Sequence, residues 1–138
     1  MQKMIEIPQM EGNLYYDATE VLCLQALDQY TLFYVLNPRL PEGYEIWKAG
    51  YGLGYFEPQM AKHGFLRVAR NGIVNPRQVR RIMRDRTLIL RIDCVRFIAN
   101  PESCEQVRKM LRGEPINITP ANPAQLSFAF NGSLAANR

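Results

Sequence analysis

The sequence predicts a mainly β domain with one short, irregular helix and a C-terminal helix. Three observations predict it. The apolar segments are short and rich in β-branched and aromatic residues. Glycine, proline, asparagine or aspartate punctuates nearly every gap between them. One segment alone, "NPESCEQVRKML", carries both the start signals and the apolar face of a helix. A chain of 138 residues, 47% hydrophobic and 22% charged, has the composition of a globular protein and is long enough to bury a real core.

The elements follow in order. "KMIEI" alternates and reads as an edge strand running into Pro8. "NLYYDATEVLCLQAL" gives a short apolar pair, a polar Asp-Ala-Thr turn and an apolar run suited to a buried strand. "QYTLFYVLN" is a strand ended by the loop "NPRLPEG", and "YEIWKA" is the next. In "GYGLGYFEPQMAKHG", Leu53, Phe56 and Met60 fall at helical spacing, while the glycines and Pro58 argue for an irregular helix. "FLRV" and "GIV" are β segments on either side of "ARN", and "NPR" is a turn in which Asn75 is a structural residue. "QVRRIM", "TLILRI" and "CVRFIA" read as three strands in hairpin succession, turning at "RDR" and near Asp93. In the closing helix Asn100 is the N-cap, Pro101 opens the helix, and Glu102 and Glu105 occupy its first turn. Cys104, Val107, Met110 and Leu111 form its apolar face. Residues 1–112 read as one domain. Residues 113–138, rich in proline, asparagine and alanine, read as a tail that docks through "QLSFAF".

Several function classes are set aside. No apolar run approaches the ~20 residues of a membrane span, and the N-terminus lacks the apolar core of an export signal, so a cytoplasmic protein is expected. Cys23, Cys94 and Cys104 are too widely spaced for a metal site and read as reduced, mostly buried thiols. With His63 the single histidine and the acids dispersed, no catalytic pair or metal centre emerges; the chain is expected to be no enzyme and to need no cofactor. "GYGLG" lacks the Lys-Ser/Thr ending of a phosphate loop, so its glycines are expected to allow close packing.

The charge is uneven. Residues 1–64 hold four Lys/Arg against eight Asp/Glu, whereas residues 65–96 hold nine arginines against Asp85 and Asp93. Every basic residue of that block is arginine, and arginine outnumbers lysine 13 to 4 overall. A solvated surface accepts lysine equally; a planar fork suits phosphate and guanine edges. The partner indicated is an anion, most simply nucleic acid. Stacking aromatics on a sheet face would indicate RNA, but in the sequence the aromatics cluster away from the arginines.

"FLRVARNGIVNPRQV" resembles the signature of the LytTR-type DNA-binding domain of bacterial response regulators, roughly Phe-x-Arg-Val-His-Arg-Ser-Tyr-Leu-Val-Asn. "EVLCLQALDQYTLFYVL" resembles the family's preceding segment, and paired strands lead into the closing helix as in the family, so that the resemblance covers residues 13–112. It implies a LytTR-like arrangement of small β-sheets that meets double-stranded DNA through loops, not through a recognition helix. Its first contact loop corresponds to Asp28, Gln29 and Tyr30, its second to Ala69, Arg70 and Asn71, and its third to Asn100, Pro101 and Glu102. The family's histidine is Ala69 here, its tyrosine is Gly72, and its usual Ser-Arg-Arg has become Asn-Pro-Glu. Glu102 would meet a phosphate with the wrong sign unless it turned back onto its own helix, and Arg91 and Arg96 are the candidates to compensate.

The DNA-binding candidates are therefore Gln29, Tyr30, Arg67, Arg70, Asn71, Arg77, Arg80, Arg81 and Asn100. Arg67 has a second reading, an ion pair with Glu57, and Tyr30 a second reading in the core. Alternation points Leu66, Val68, Ile73, Val74, Val79 and Ile82 inward and Arg67, Arg70, Arg80 and Arg84 outward. The function expected is a bacterial transcriptional regulator without a receiver domain, since about a dozen residues precede the resemblance. It would act as a homodimer on repeated sites or under a regulatory protein partner. The competing reading is a degenerate relative that serves as a protein-interaction module; an enzyme acting on a small anion is a third.

Overall fold

The computed structural model describes residues 4–114. The tail segment "QLSFAF" lies outside the described residues. Among the described residues, ten strands and two α-helices fold in three layers around a central five-stranded antiparallel sheet. That sheet contains β3 (Val21–Leu27), β4 (Tyr30–Leu36), β5 (Tyr44–Ala49), β6 (Leu66–Ala69) and β7 (Gly72–Val74), in the order β5-β4-β3-β7-β6. One face is covered by the hairpin of β1 (Met4–Ile7) and β2 (Leu14–Asp17) and by α1 (Leu53–Lys62). The other is covered by the sheet of β8 (Val79–Ile82), β9 (Thr87–Leu90) and β10 (Phe97–Ile98) and by α2 (Pro101–Leu111).

Burial on both faces explains why β3 and β4 are nearly continuous apolar runs. Phe33 and Val35 pack toward α1, Tyr34 toward the three-stranded sheet. Leu22 and Cys23 break strict alternation and face the same layer, because a bulge shifts the register between Val21 and Cys23. The Cys23 thiol is buried, which pushes its pKa up, and it donates to Cys94, whose own pKa is lowered by that bond. Beside them Tyr34, raised to about 12 by burial and by the thiols, donates its hydroxyl to Gln25 Oε1 at 2.6 Å. All three cysteines are free, Cys23 and Cys104 buried and Cys94 half-buried.

The segment after β5 forms the short helix expected, ten residues with Pro58 inside it; the amide that Pro58 lacks would have bonded the first turn, at Gly54. Two expectations need correction. The glycines of "GYGLG" are not spent on close packing: a Cβ at Gly50 or Gly54 would have no heavy atom within 4 Å. Leu111 is 45% exposed rather than part of the buried face of α2, which is made by Ser103, Cys104, Gln106 and Val107. Elsewhere the inward set is as read: Leu66, Val68, Ile73, Val74 and Val79 are buried, and Ile82 is half-buried. Asn75 is the structural turn residue expected, accepting from Arg77 N at 3.2 Å and donating to Val21 O at 3.0 Å. Among the described residues no helix is long and apolar enough to cross a membrane.

Gly72 is the glycine the packing does require. A Cβ there would lie 2.4 Å from the Phe97 ring, which joins the two sheets at this point. Gly72→Ala is expected to lower the unfolding free energy by about 1–3 kcal/mol. Chemical denaturation reads this loss, and Phe97→Leu in the same chain should restore part of it.

Candidate nucleic-acid interface

Antiparallel pairing sends three connections out of the same end of the central sheet. Leu27 pairs with Tyr30, leaving Asp28 and Gln29 as a two-residue tip. Ala49, the last residue of β5, pairs with Thr31, so the segment leading to α1 leaves beside that tip. Ala69 pairs with Gly72, leaving Arg70 and Asn71 as a second tip. Ala26 N donates to Asn71 O at 2.9 Å, which sets the two tips side by side. Asp28 adopts φ 55, a left-handed geometry that aspartate tolerates. Neither Arg70 nor Asn71 needs positive φ, because a bulge between Arg67 and Ala69 absorbs the twist of the tight hairpin.

A fourth group is joined from α2. Asn100 donates both its backbone N–H, at 2.8 Å, and its side-chain Nδ2, at 3.2 Å, to Val68 O. Its Oδ1 caps the helix by accepting from Ser103 N at 2.8 Å. Ser103 Oγ donates to Arg67 O at 2.9 Å. The start of α2 is thus bonded to the free edge of β6, two residues from Arg70. The β8–β9 turn is tied to the same place: Ala99 N donates to Arg86 O, and Arg86 Nε donates to Ala99 O, each at 2.9 Å.

Arg67 holds the second tip in shape. Its Nε donates to Ala69 O at 3.0 Å, its Nη2 to Arg70 O at 2.6 Å and its Nη1 to Glu57 Oε1 at 2.7 Å. The guanidinium therefore spans two carbonyls of the turn and anchors them to α1. With the side chains 31% and 45% exposed, solvent screens the ion pair, and the fixed fork geometry is its main contribution.

The sequence-predicted residues divide into two groups. Gln29, Arg70, Asn71 and Asn100 lie exposed at the common end, with Tyr30 half-buried beneath the Lys48 ammonium, 4.6 Å from its ring centroid. Arg67 lies there too, committed to the tip. Arg77, at the opposite end of β7, is separated from Asn71 by about 10 Å of strand. Arg80, whose Nη1 donates to Arg77 O at 3.0 Å, goes with it, and Arg81 is exposed farther along β8. Among the described residues Arg70, Arg77, Arg80, Arg81, Arg84 and Arg91 meet no carboxylate, whereas Arg96 is paired with Asp93 at 2.8 Å.

Neither proposed compensator reaches the third loop. Arg96 is spent on Asp93, and Arg91 donates its backbone N–H to Gln78 O at the opposite end. Glu102 is exposed and does not cap its own helix, since the Asn100 N–H is already given to Val68. The cation brought beside that loop is Arg86, which sequence reasoning missed; its signal was the basic "RDR" turn, read only as a turn. Tyr51, just before α1, and Tyr55, in its first turn, stack at this end of the sheet. Among the described residues no cluster of three or more His, Cys, Asp or Glu is arranged to hold a metal.

No family model and no curated protein matches the chain. Among solved structures, it is similar to the LytTr DNA-binding domain of a Bacillus cereus protein described as a methyl-accepting/DNA response regulator. The match covers 82% of this chain and 99% of that domain, at 25% identity and a TM-score of 0.53. This is a LytTR-type domain. Within it, the replacement of the family's tyrosine by Gly72 has a physical reason: the Phe97 ring fills the space a side chain would need.

The grip of Arg67 on the second tip of this LytTR-type domain is open to test. Arg67→Lys keeps the charge but loses the fork, so hydrogen exchange at Arg70, Asn71 and Gly72 should speed up about tenfold. Exchange at β4 should be unchanged.

Proposed function

We propose that this LytTR-type domain is a bacterial transcriptional regulator, acting in the cytoplasm, that binds double-stranded DNA through the loops at the Arg70–Asn71 end. The observation that carries the reading is the state of that tip. Arg70 and Asn71 are exposed, their side chains make no hydrogen bond among the described residues, and the turn beneath them is fixed by Arg67. The similar Bacillus cereus domain, named for DNA binding, supports the same partner.

Chemistry assigns the roles. Arg70 is suited to guanine O6 and N7, and Asn71 to adenine N6 and N7. Gln29 on the adjacent tip reaches a neighbouring base or phosphate. Asn100 is a positioning residue, because its side chain is committed to Val68 and Ser103. Arg77, Arg80 and Arg81 lie away from the reading tip and serve as phosphate contacts on flanking backbone, setting register without reading sequence. Two adjacent readers specify a short half-site, so two copies on a repeated site are the natural architecture.

Titration of labelled duplex at several salt concentrations tests the reading. Affinity should fall linearly with salt on logarithmic axes. Arg70→Ala should weaken binding by about 1–3 kcal/mol and lower the salt slope by about one. Asn71→Ala should relax sequence preference and leave the slope unchanged. Binding indifferent to salt, or equal in wild type and both variants, would contradict it.

A further inference from the structure

We infer that Tyr51 and Tyr55, with Lys48 on the other face of the same sheet end, make a second set of contacts to the sugar–phosphate backbone of the same duplex, on the flank of the Asp28–Gln29 tip opposite Arg70 and Asn71. The inference rests on the DNA-binding reading and extends it to residues outside the resembling motif. Four observations carry it.

Position comes first. The segment from Gly50 to Tyr55 leaves the central sheet at the same end as both tips. It is fixed there by Thr31 Oγ1, which donates to Tyr51 O at 2.8 Å, and Gly52 sits against Gln29 O, 3.8 Å from where its Cβ would be.

The second is the state of the rings. Tyr51 and Tyr55 stack with centroids 4.3 Å apart and planes 16° from parallel, and both present edges and faces to the buried Phe56. They are nonetheless 47% and 61% exposed, and neither hydroxyl has a hydrogen-bond partner among the described residues. Two rigid, amphipathic side chains held outward lose little entropy when they bind, and tyrosine hydroxyls donate readily to phosphate oxygens.

Charge is the third. Lys48 is exposed near the same end of β5, over the Tyr30 ring; its pairing with Leu32 puts it on the face of the sheet opposite α1, so the tyrosines and the ammonium flank that end from its two faces. The single acid of α1, Glu57, is neutralised by Arg67, so the helix turns no unpaired carboxylate toward a phosphate.

The fourth is bare backbone. Gly50 and Gly52 need neither positive φ nor the absence of a Cβ for any contact within the protein, so the chain next to Tyr51 is open to close approach from outside.

Fluorescence anisotropy with a labelled duplex of mixed sequence tests the inference, with thermal unfolding of each variant in parallel. Tyr51→Phe/Tyr55→Phe keeps both rings and removes both hydroxyls. It should weaken binding about tenfold at unchanged Tm, and equally on every duplex sequence, because backbone contacts carry no sequence information. Lys48→Ala should lower the salt slope by about one. If Arg70→Ala weakens binding while the tyrosine and Lys48 variants bind as wild type, the DNA reading stands and this inference falls. If the wild-type protein binds no duplex, both fall. Tighter binding to single-stranded RNA than to duplex, lost in Tyr51→Ala/Tyr55→Ala, would overturn it in favour of base stacking.

Discussion

One guanidinium shapes the reading tip. The Arg67 guanidinium can only donate, and its planar fork is satisfied by three oxygens from two elements: Ala69 O and Arg70 O in the turn, and Glu57 Oε1 on α1. The turn carbonyls are thereby drawn inward. Arg70 and Asn71 are left with their side chains outward. The carbonyl of Arg67 itself accepts from Ser103, so the same residue also seats the start of α2. An arginine at a position that would otherwise suggest contact with a partner acts here as the clasp behind the contact. Lysine, a single flexible ammonium, cannot bridge that set.

The clasp works because the sheet behind it is held on both faces. β3 pairs with β4 on one side and β7 on the other. Its residues feed two cores, one under α1 and the β1–β2 hairpin, the other under the three-stranded sheet and α2. Antiparallel pairing in that sheet decides which connections share an end. The tips at Asp28–Gln29 and Arg70–Asn71 are neighbours by register, while Asn75 and Arg77 are carried to the other end of β7. Arginines close in sequence are therefore split between two ends of the molecule, and only some of them share a surface with the reading tip.

Much of this was legible in the sequence. Every strand but β2, read only as a short apolar pair, was visible as a short β-branched or aromatic run between turn residues, and the N-cap pattern of Asn100-Pro101 located α2. Arg70 and Asn71 stood out as a polar pair between two apolar segments, which is what a two-residue tip requires. What was hidden depended on pairing between distant segments. Gly50 and Gly54 look like packing glycines until the space around them is seen to be empty. Arg86 looks like one more turn residue until β10 brings Ala99 against it. Tyr51 and Tyr55 precede the arginine block in sequence and come to the same end of the central sheet as Arg70 only because β5 ends beside β4's beginning. Leu111 satisfied the helical period, but α2 turns Ser103 and Gln106 inward instead to meet β6 and the turn before β8.

Amide chemical-shift mapping on an isotope-labelled sample, as unlabelled duplex is added, tests most directly whether one end of the central sheet is the working surface. The account predicts that the largest shifts fall on Gln29, Arg70, Asn71 and Ser103. Shifts confined to Arg77, Arg80 and Arg91, with that end of the sheet silent, would contradict it.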